Sequence, residues 1–238
     1  MTDEPPLPQR DVARLLDLAN ELWASGSSED ARRAVARAET ESAAWGPAVA
    51  GRFRETVRLV LGLLDERDRL RDQAVRDPLT GLHNRRFLET ELGRLVDRGL
   101  PLSVALLDLD RFRDFNEQHG HLAGDFVLRR LAAMLVAGSR EGDLACRYGG
   151  EEFVLVMDSI TAAAATERLE GLREALAGHR IRHADRDLPP ITMSVGVSEF
   201  PRHGASVASL LHAADRAMYA AKRSGRNRLA VSPEHEPA

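Results

Sequence analysis

The run Leu102-Ser103-Val104-Ala105-Leu106-Leu107-Asp108-Leu109 constrains this chain more than any other feature. It is short and almost continuously apolar, the pattern of a strand buried on both faces rather than one alternating between core and solvent. Such a strand needs helices on each side of its sheet. The flanking sequence supplies them. Asn84 to Arg98 has helical spacing closed by Gly99, Phe112 to Gln118 and Leu122 to Val136 come after the run, and Thr161 to Ala177 and Ser206 to Arg223 read as helices further on. Leu144 to Tyr148 and Phe153 to Met157 read as strands joined through Gly149-Gly150, with more strands at Ile191 to Ser198 and Arg228 to Val231. Strands alternating with helices, plus a hairpin, predict an α/β chain of the α+β kind, a mixed sheet with helices packed on it.

Ahead of this lies a stretch without strand patterning. Val12, Leu15, Leu16, Ala19, Leu22 and Trp23 recur at helical spacing, and Gly26-Ser27-Ser28 ends that helix. A second helix runs through Ala31, Val35 and Ala38, and Pro47 opens a third that carries Val57, Leu61 and Leu64. Asp77-Pro78 stops it, because the residue before proline avoids the helical region. Two domains are expected: a helical regulatory or dimerisation region over 1–76, and a mixed-sheet domain over 77–238. Ala19 to Ala38 loosely resembles one tetratricopeptide unit, against the plainer reading of a small bundle that pairs two chains. Leu63 and Leu70 are one heptad apart, but Glu66 and Arg67 stand where the next coiled-coil core residue belongs.

The formal charge of −4 argues against nucleic acid as the main partner. The aliphatic run Leu59 to Leu64 is far short of the roughly 20 residues that span a bilayer. The opening MTDEPPLPQR lacks the apolar stretch of a signal peptide, and the single cysteine, Cys146, makes no internal disulfide. A cytoplasmic protein without membrane or nucleic-acid partners is expected. Among 33 basic residues Lys222 is the one lysine, which points to a place where a compact ammonium is wanted rather than a planar fork.

Asp108 and Asp110 end the apolar run two residues apart, which in a strand places both carboxylates on one face. They either cap the next segment of chain or share a hard cation such as Mg²⁺, which takes one or two carboxylates plus substrate phosphates. At Gly149-Gly150-Glu151-Glu152 the glycines permit a turn with positive φ and leave room for a ligand against bare backbone. Glu151 beside Asp108 would complete a two-metal clamp of the kind used in nucleotidyl transfer.

Three blocks together resemble the GGDEF family of diguanylate cyclases, in its GGEEF form. They are Asp77-Pro78-Leu79-Thr80-Gly81-Leu82-His83-Asn84-Arg85-Arg86, then Asp108-Leu109-Asp110-Arg111-Phe112 through Asn116, His121, Gly124 and Asp125, then Arg147-Tyr148-Gly149-Gly150-Glu151-Glu152-Phe153. The resemblance covers roughly Asp77 to Val231. It implies a fold related to nucleotidyl cyclases and the polymerase palm, and condensation of two GTP molecules into cyclic di-GMP and two diphosphates at a homodimer interface. It further implies two Mg²⁺ or Mn²⁺ ions per site held by Asp108, the Leu109 carbonyl and Glu151, with Glu151 and Glu152 as the catalytic acids. By the same resemblance Asn116 and Asp125 bind guanine, and Phe112, Arg113, Lys222 and Arg226 bind phosphate. Arg140 and Asp143, with five residues between Asp143 and Gly149, match an RxxD site that binds cyclic di-GMP as an inhibitor. Arg168 and Arg173 are candidates for a further inhibitory arginine, while Gly171 stands nearest the expected position. The rival reading is a catalytically silent module that binds GTP or cyclic di-GMP and signals through its helical region.

Overall fold

All eight positions of the run Leu102–Leu109 are buried in the computed structural model of the chain, which describes residues 29, 31–33, 35–36, 47–179, 181–183 and 186–234. In chain order the elements are α1 (Pro47–Val75), β1 (His83–Asn84), α2 (Arg85–Asp97), β2 (Leu102–Leu109), α3 (Phe112–His119), α4 (His121–Gly138), β3 (Leu144–Arg147), β4 (Glu152–Asp158), α5 (Ala162–Ala177), β5 (Ile181–His183), β6 (Arg186–Leu188), β7 (Met193–Phe200), α6 (Val207–Arg223) and β8 (Leu229–Val231). The chain divides into two units, Met1–Ala74 and Val75–Ala238. In the first, residues 29, 31–33 and 35–36 are helical and α1 is continuous over 29 residues, with Val57 and Leu64 buried and Leu59, Leu63 and Leu70 exposed. The helix expected over Val12 to Trp23, and most of the tetratricopeptide-like stretch, lie outside the described residues.

The second unit is built on a six-stranded sheet in the order β1-β3-β4-β2-β7-β8. β1 with β3 and β7 with β8 are parallel; the pairs between them are antiparallel. Because side chains alternate along a strand, β2 feeds two cores. Ala105, Leu107 and Leu109 pack with Phe153, Leu155 and Met157 and with residues of α3, α4 and α5. Leu102, Val104 and Leu106 pack with Val154 and Val156 and with Leu88, Leu92, Leu210 and Met218 of α2 and α6. The mixed sheet covered on both faces is the architecture expected from the sequence. Two pieces were not expected: the two-residue strand β1, and the β5–β6 hairpin, whose Arg182 and Asp187 give it no apolar alternation. β7 begins two residues later than the sequence pattern suggests, after Pro189-Pro190 and a buried Ile191.

Local signals set the helix ends. The Asn84 side chain accepts from Phe87 N at 3.0 Å to start α2, and a capping box between Ser206 and Ser209 starts α6. Cys146 is fully buried, and burial pushes its thiol up to about 12, so it is an inert core residue.

The approach of α6 to the sheet is fixed at Gly196 of β7. A Cβ there would lie 2.0 Å from the Ala214 carbonyl oxygen and 2.2 Å from Met218 N, so helix backbone rests directly on strand backbone. Lys222 comes about one turn after Met218, and its position over the end of β2 depends on this contact. Gly196→Ala should cost about 3 kcal/mol of stability, because two backbones must separate. Urea unfolding followed by circular dichroism checks this, and a midpoint unchanged from the native chain would contradict it.

Candidate active site

At the carboxyl end of β2 the chain brings together one lysine and two acids. Lys222 Nζ lies 2.8 Å from Asp108 Oδ1, with the carboxylate side chain 8% exposed. Leu109 N donates to the Glu151 carbonyl oxygen at 3.4 Å, which ties the acid-bearing turn to the end of the strand. Burial raises the Asp108 carboxyl above its ordinary value even though Lys222 and, more weakly, the Arg226 guanidinium pull it down. Burial likewise raises Glu151, and the neighbouring negative charges of Asp108 and Glu152 add to that against the pull of Lys222. These groups share one electrostatic neighbourhood in which one ammonium does not offset the acids.

The glycine pair works differently from the sequence expectation. Neither Gly149 nor Gly150 adopts a positive φ; among the described residues the glycines that do are 81, 99, 120, 142 and 225. At Gly149 a Cβ would sit 2.4 Å from Glu152 Oε2, the far end of a flexible side chain that would have to shift, whereas around Gly150 there is open space. The turn closes on Glu152, whose carbonyl accepts from Tyr148 N and Gly149 N. Glu152 faces Asp108 across the β2–β4 ladder. Arg147 braces the turn from outside: its Nη2 donates to the Gly150 carbonyl at 2.7 Å and its Nη1 to both oxygens of Asp77. Asp77 also takes the Thr80 N–H and hydroxyl, and these bonds hold its carboxyl below the usual range against the opposing effect of burial. Sequence reasoning missed the Asp77–Arg147 pair because its members are 70 residues apart.

Asp110 does not share a cation face with Asp108. It lies one residue past the strand, and its carboxylate accepts from Thr192 Oγ1, Ser194 Oγ and Asn227 N at 2.7, 2.7 and 2.9 Å. These three donors take up Asp110, which stands past the end of β2 at Leu109, although its charge still acts on Asp108.

The remaining candidates fall into three groups. Asn116 on α3 holds its Oδ1 buried with no hydrogen-bond partner within the chain. It packs so closely on α4 that a Cβ on Gly124 would lie 1.9 Å from that oxygen; Asp125 is the next residue, 3.9 Å from Arg129. No side chain caps the start of α3. The ring of Phe112 is in the core, so only its main chain can face an anion, and Arg113 is exposed and paired with Glu117. Arg140 and Asp143 close a tight turn through Asp143 N to the Arg140 carbonyl and Arg140 N to Asp143 Oδ2. Arg168 is committed to that same Asp143 oxygen, and Arg173 to Glu170, Glu174 and Asn227, so neither is a free arm.

Among the described residues no cluster of three or more His, Cys, Asp or Glu side chains forms a closed metal cage. Asp108 and Glu151 offer two buried-edge carboxylates instead. That donor set fits Mg²⁺ or Mn²⁺ completed by phosphate oxygens rather than an ion held by protein alone.

Comparison with known proteins agrees with this geometry. Residues 74–228 match the family described as "Diguanylate cyclase, GGDEF domain". The chain is 43% identical over 159 residues to the response regulator PleD of Caulobacter vibrioides, covering 65% of this chain and 35% of that protein. It is 41% identical over 166 residues to the diguanylate cyclase DgcP of Pseudomonas aeruginosa, covering 68% and 24%. The crystal structure of the coiled coil and GGDEF domain of DgcB from Caulobacter crescentus in complex with c-di-GMP superposes with a TM-score of 0.72 at 31% identity, covering 78% of this chain and all of that one. The chain belongs to the GGDEF family. It spans about a third of PleD and about a quarter of DgcP.

Because burial raises Asp108 and Glu151, the folded chain keeps protons on them at a pH where the unfolded chain has released them. Stability from these two groups is therefore greatest below the ordinary carboxylate range and is lost as pH rises through the raised values. Glu151→Gln should remove part of that loss and raise the melting temperature of the metal-free protein at neutral pH by about 1–2 °C. Scanning calorimetry in the presence of a chelator reads this, and a lowered melting temperature would contradict it.

Proposed function

We propose that this chain is a diguanylate cyclase that condenses two GTP molecules into cyclic di-GMP with release of two diphosphates. Membership of the GGDEF family, and relatives that are themselves named diguanylate cyclases, support the reading. The observation that carries it is Lys222 held 2.8 Å from the buried Asp108 with Glu151 tied beside it. A cation and two carboxylates at the open end of a central strand suit a metal-bound triphosphate.

In this reading Asp108, the Leu109 carbonyl and Glu151 hold two Mg²⁺ or Mn²⁺ ions. When bound, the metal ions neutralise the triphosphate and make the attacking 3′-hydroxyl more acidic. Glu151 and Glu152 supply the negative charge that favours loss of the hydroxyl proton, which passes to solvent. Lys222 exchanges Asp108 for a phosphate oxygen, Arg226 grips phosphate as a bidentate fork, and Arg113 and the main chain of Phe112 at the uncapped start of α3 add positive charge. Asn116 and Asp125 recognise guanine: the orphaned Asn116 Oδ1 takes an N–H donor of the base, and an acceptor-only carboxylate suits the others. Each 3′-oxygen forms a bond to the α-phosphorus of the other nucleotide as the bond to diphosphate breaks. One domain holds one GTP, so two chains must face each other, and positioning supplies much of the rate.

The helical region over 1–76 pairs the two chains in this proposal; the exposed Leu59, Leu63 and Leu70 of α1 support that role. The Arg140–Asp143 turn binds cyclic di-GMP as an inhibitor, with Arg140 exposed for guanine or phosphate.

The test is to incubate the purified chain with GTP and Mg²⁺ and resolve the products by chromatography. Cyclic di-GMP is expected, with the rate per chain rising with protein concentration as dimers form. Asp108→Asn should lower the rate on the order of a hundredfold or more. GTP that binds but stays intact at every concentration would show a silent binding module instead. In a second assay, Gly124→Ala should push the Asn116 amide aside and raise KM for GTP about tenfold while the melting curve stays cooperative. An unchanged KM would remove Asn116 from the guanine site.

A further inference from the structure

We propose that Asp110 is a positioning residue: it anchors the left-handed turn Gly225-Arg226-Asn227 and so aims Arg226 at the end of β2. The proposal rests on the reading of that end as a triphosphate site. Three successive residues of the turn have positive φ, at 118°, 62° and 45°, and two of them carry side chains that disfavour it. Something must hold them there. Apolar packing does not, because residues 223–228 are all exposed and the turn borders a cavity of about 410 Å³. Hydrogen bonds do. Gly225 N and Arg226 N donate to the Lys222 and Ala221 carbonyls at 3.4 and 3.1 Å and hold the first two residues to the end of α6. Asn227 is held by Asp110 Oδ2, which accepts from its N–H at 2.9 Å, and by Arg173, which reaches its side chain at 2.7 Å.

Asp110 is suited to anchor because it is itself immobilised. It is buried, its two oxygens take Thr192 and Ser194 hydroxyls, and its own N–H donates to the Thr192 carbonyl at 2.8 Å. It thereby joins the end of β2, the start of β7 and the turn between α6 and β8 at one carboxylate. Its neighbour in sequence, Arg111, is also left-handed at φ 54°. The consequence reaches the site through Arg226, the residue assigned to phosphate above, which this turn carries at the rim of the cavity that Asp110 also lines. Asp110 touches no reacting atom and works through Arg226.

The experiment uses the full chain with Asp110→Asn, which keeps the shape but turns an N–H₂ toward donors. Trypsin cleavage of the Arg226–Asn227 bond, read by mass spectrometry on the folded protein, should accelerate on the order of tenfold as the turn loosens. Affinity for a non-hydrolysable GTP analogue with Mg²⁺ should fall about tenfold, while affinity for GMP changes less than about twofold. Arg226→Ala alone should give the same loss, and adding it to Asp110→Asn should cost less than about twofold more. Should Asp110→Asn not fold, Thr192→Val removes the hydroxyl that fixes Asp110 Oδ2 and should give a smaller loss of analogue affinity in the same direction. A bond as resistant to trypsin as in the native chain, or losses that multiply in the double variant, would overturn the proposal. If the native chain binds the analogue no more tightly than GMP, the triphosphate reading fails with Arg226's role in it. The protease result then still decides whether Asp110 anchors the turn.

Discussion

The ion pair between Lys222 and Asp108 is the interaction on which the rest of this molecule depends. Its carboxylate sits near the end of a strand buried on both faces, where an unpaired charge would be costly. Its ammonium comes from a helix that reaches the site only because Gly196 lets two backbones touch. Burial still raises Asp108 with the lysine in place, so the lysine does not fully offset the cost of burying the carboxylate. In the proposed reaction this lysine moves to phosphate and the carboxylate turns to a metal ion.

Around this pair the chain uses its polar groups to fix position. Arg147 ties the acid-bearing turn to Asp77, close to the start of the second unit, and Asp110 ties the turn carrying Arg226 to two strands. Both braces are buried or half-buried side chains with every described bond internal to the fold. The groups assigned to ligands are arranged the opposite way. Asn116 Oδ1 has no partner, Gly150 faces open space, and the start of α3 has no capping side chain. Most of the frame's polar groups are satisfied, Arg147 Nε excepted, and in the proposed reading Asn116 Oδ1 and the start of α3 are where a nucleotide belongs.

Much of this was legible in the sequence. Apolar periodicity located β2 and the five helices around it, because both faces of the sheet are dry and the pattern is strong. Lys222 announced itself as the single lysine, and Asp108 and Glu151 as acids at strand ends. Asp108 and Asp110 do not pair as their spacing suggested, since strand alternation stops where the strand does. The surroundings of the glycines were also hidden: tolerance of positive φ is a property of the residue, whereas the close approach of the Glu152 carboxylate to Gly149 depends on where Glu152 folds. The β5–β6 hairpin left no trace because its strands are short and charged. Long-range polar braces such as Asp77–Arg147 leave no periodic signal at all.

The central claim is that Asp108 is a cation site with Lys222 as its resident counter-charge, and a calorimetric titration of Mn²⁺ without nucleotide tests it most directly. Replacing the lysine by a neutral residue of similar length, Lys222→Met, should tighten Mn²⁺ binding about fivefold by removing the competing ammonium. Mn²⁺ affinity that is unchanged or weaker in Lys222→Met would contradict the account.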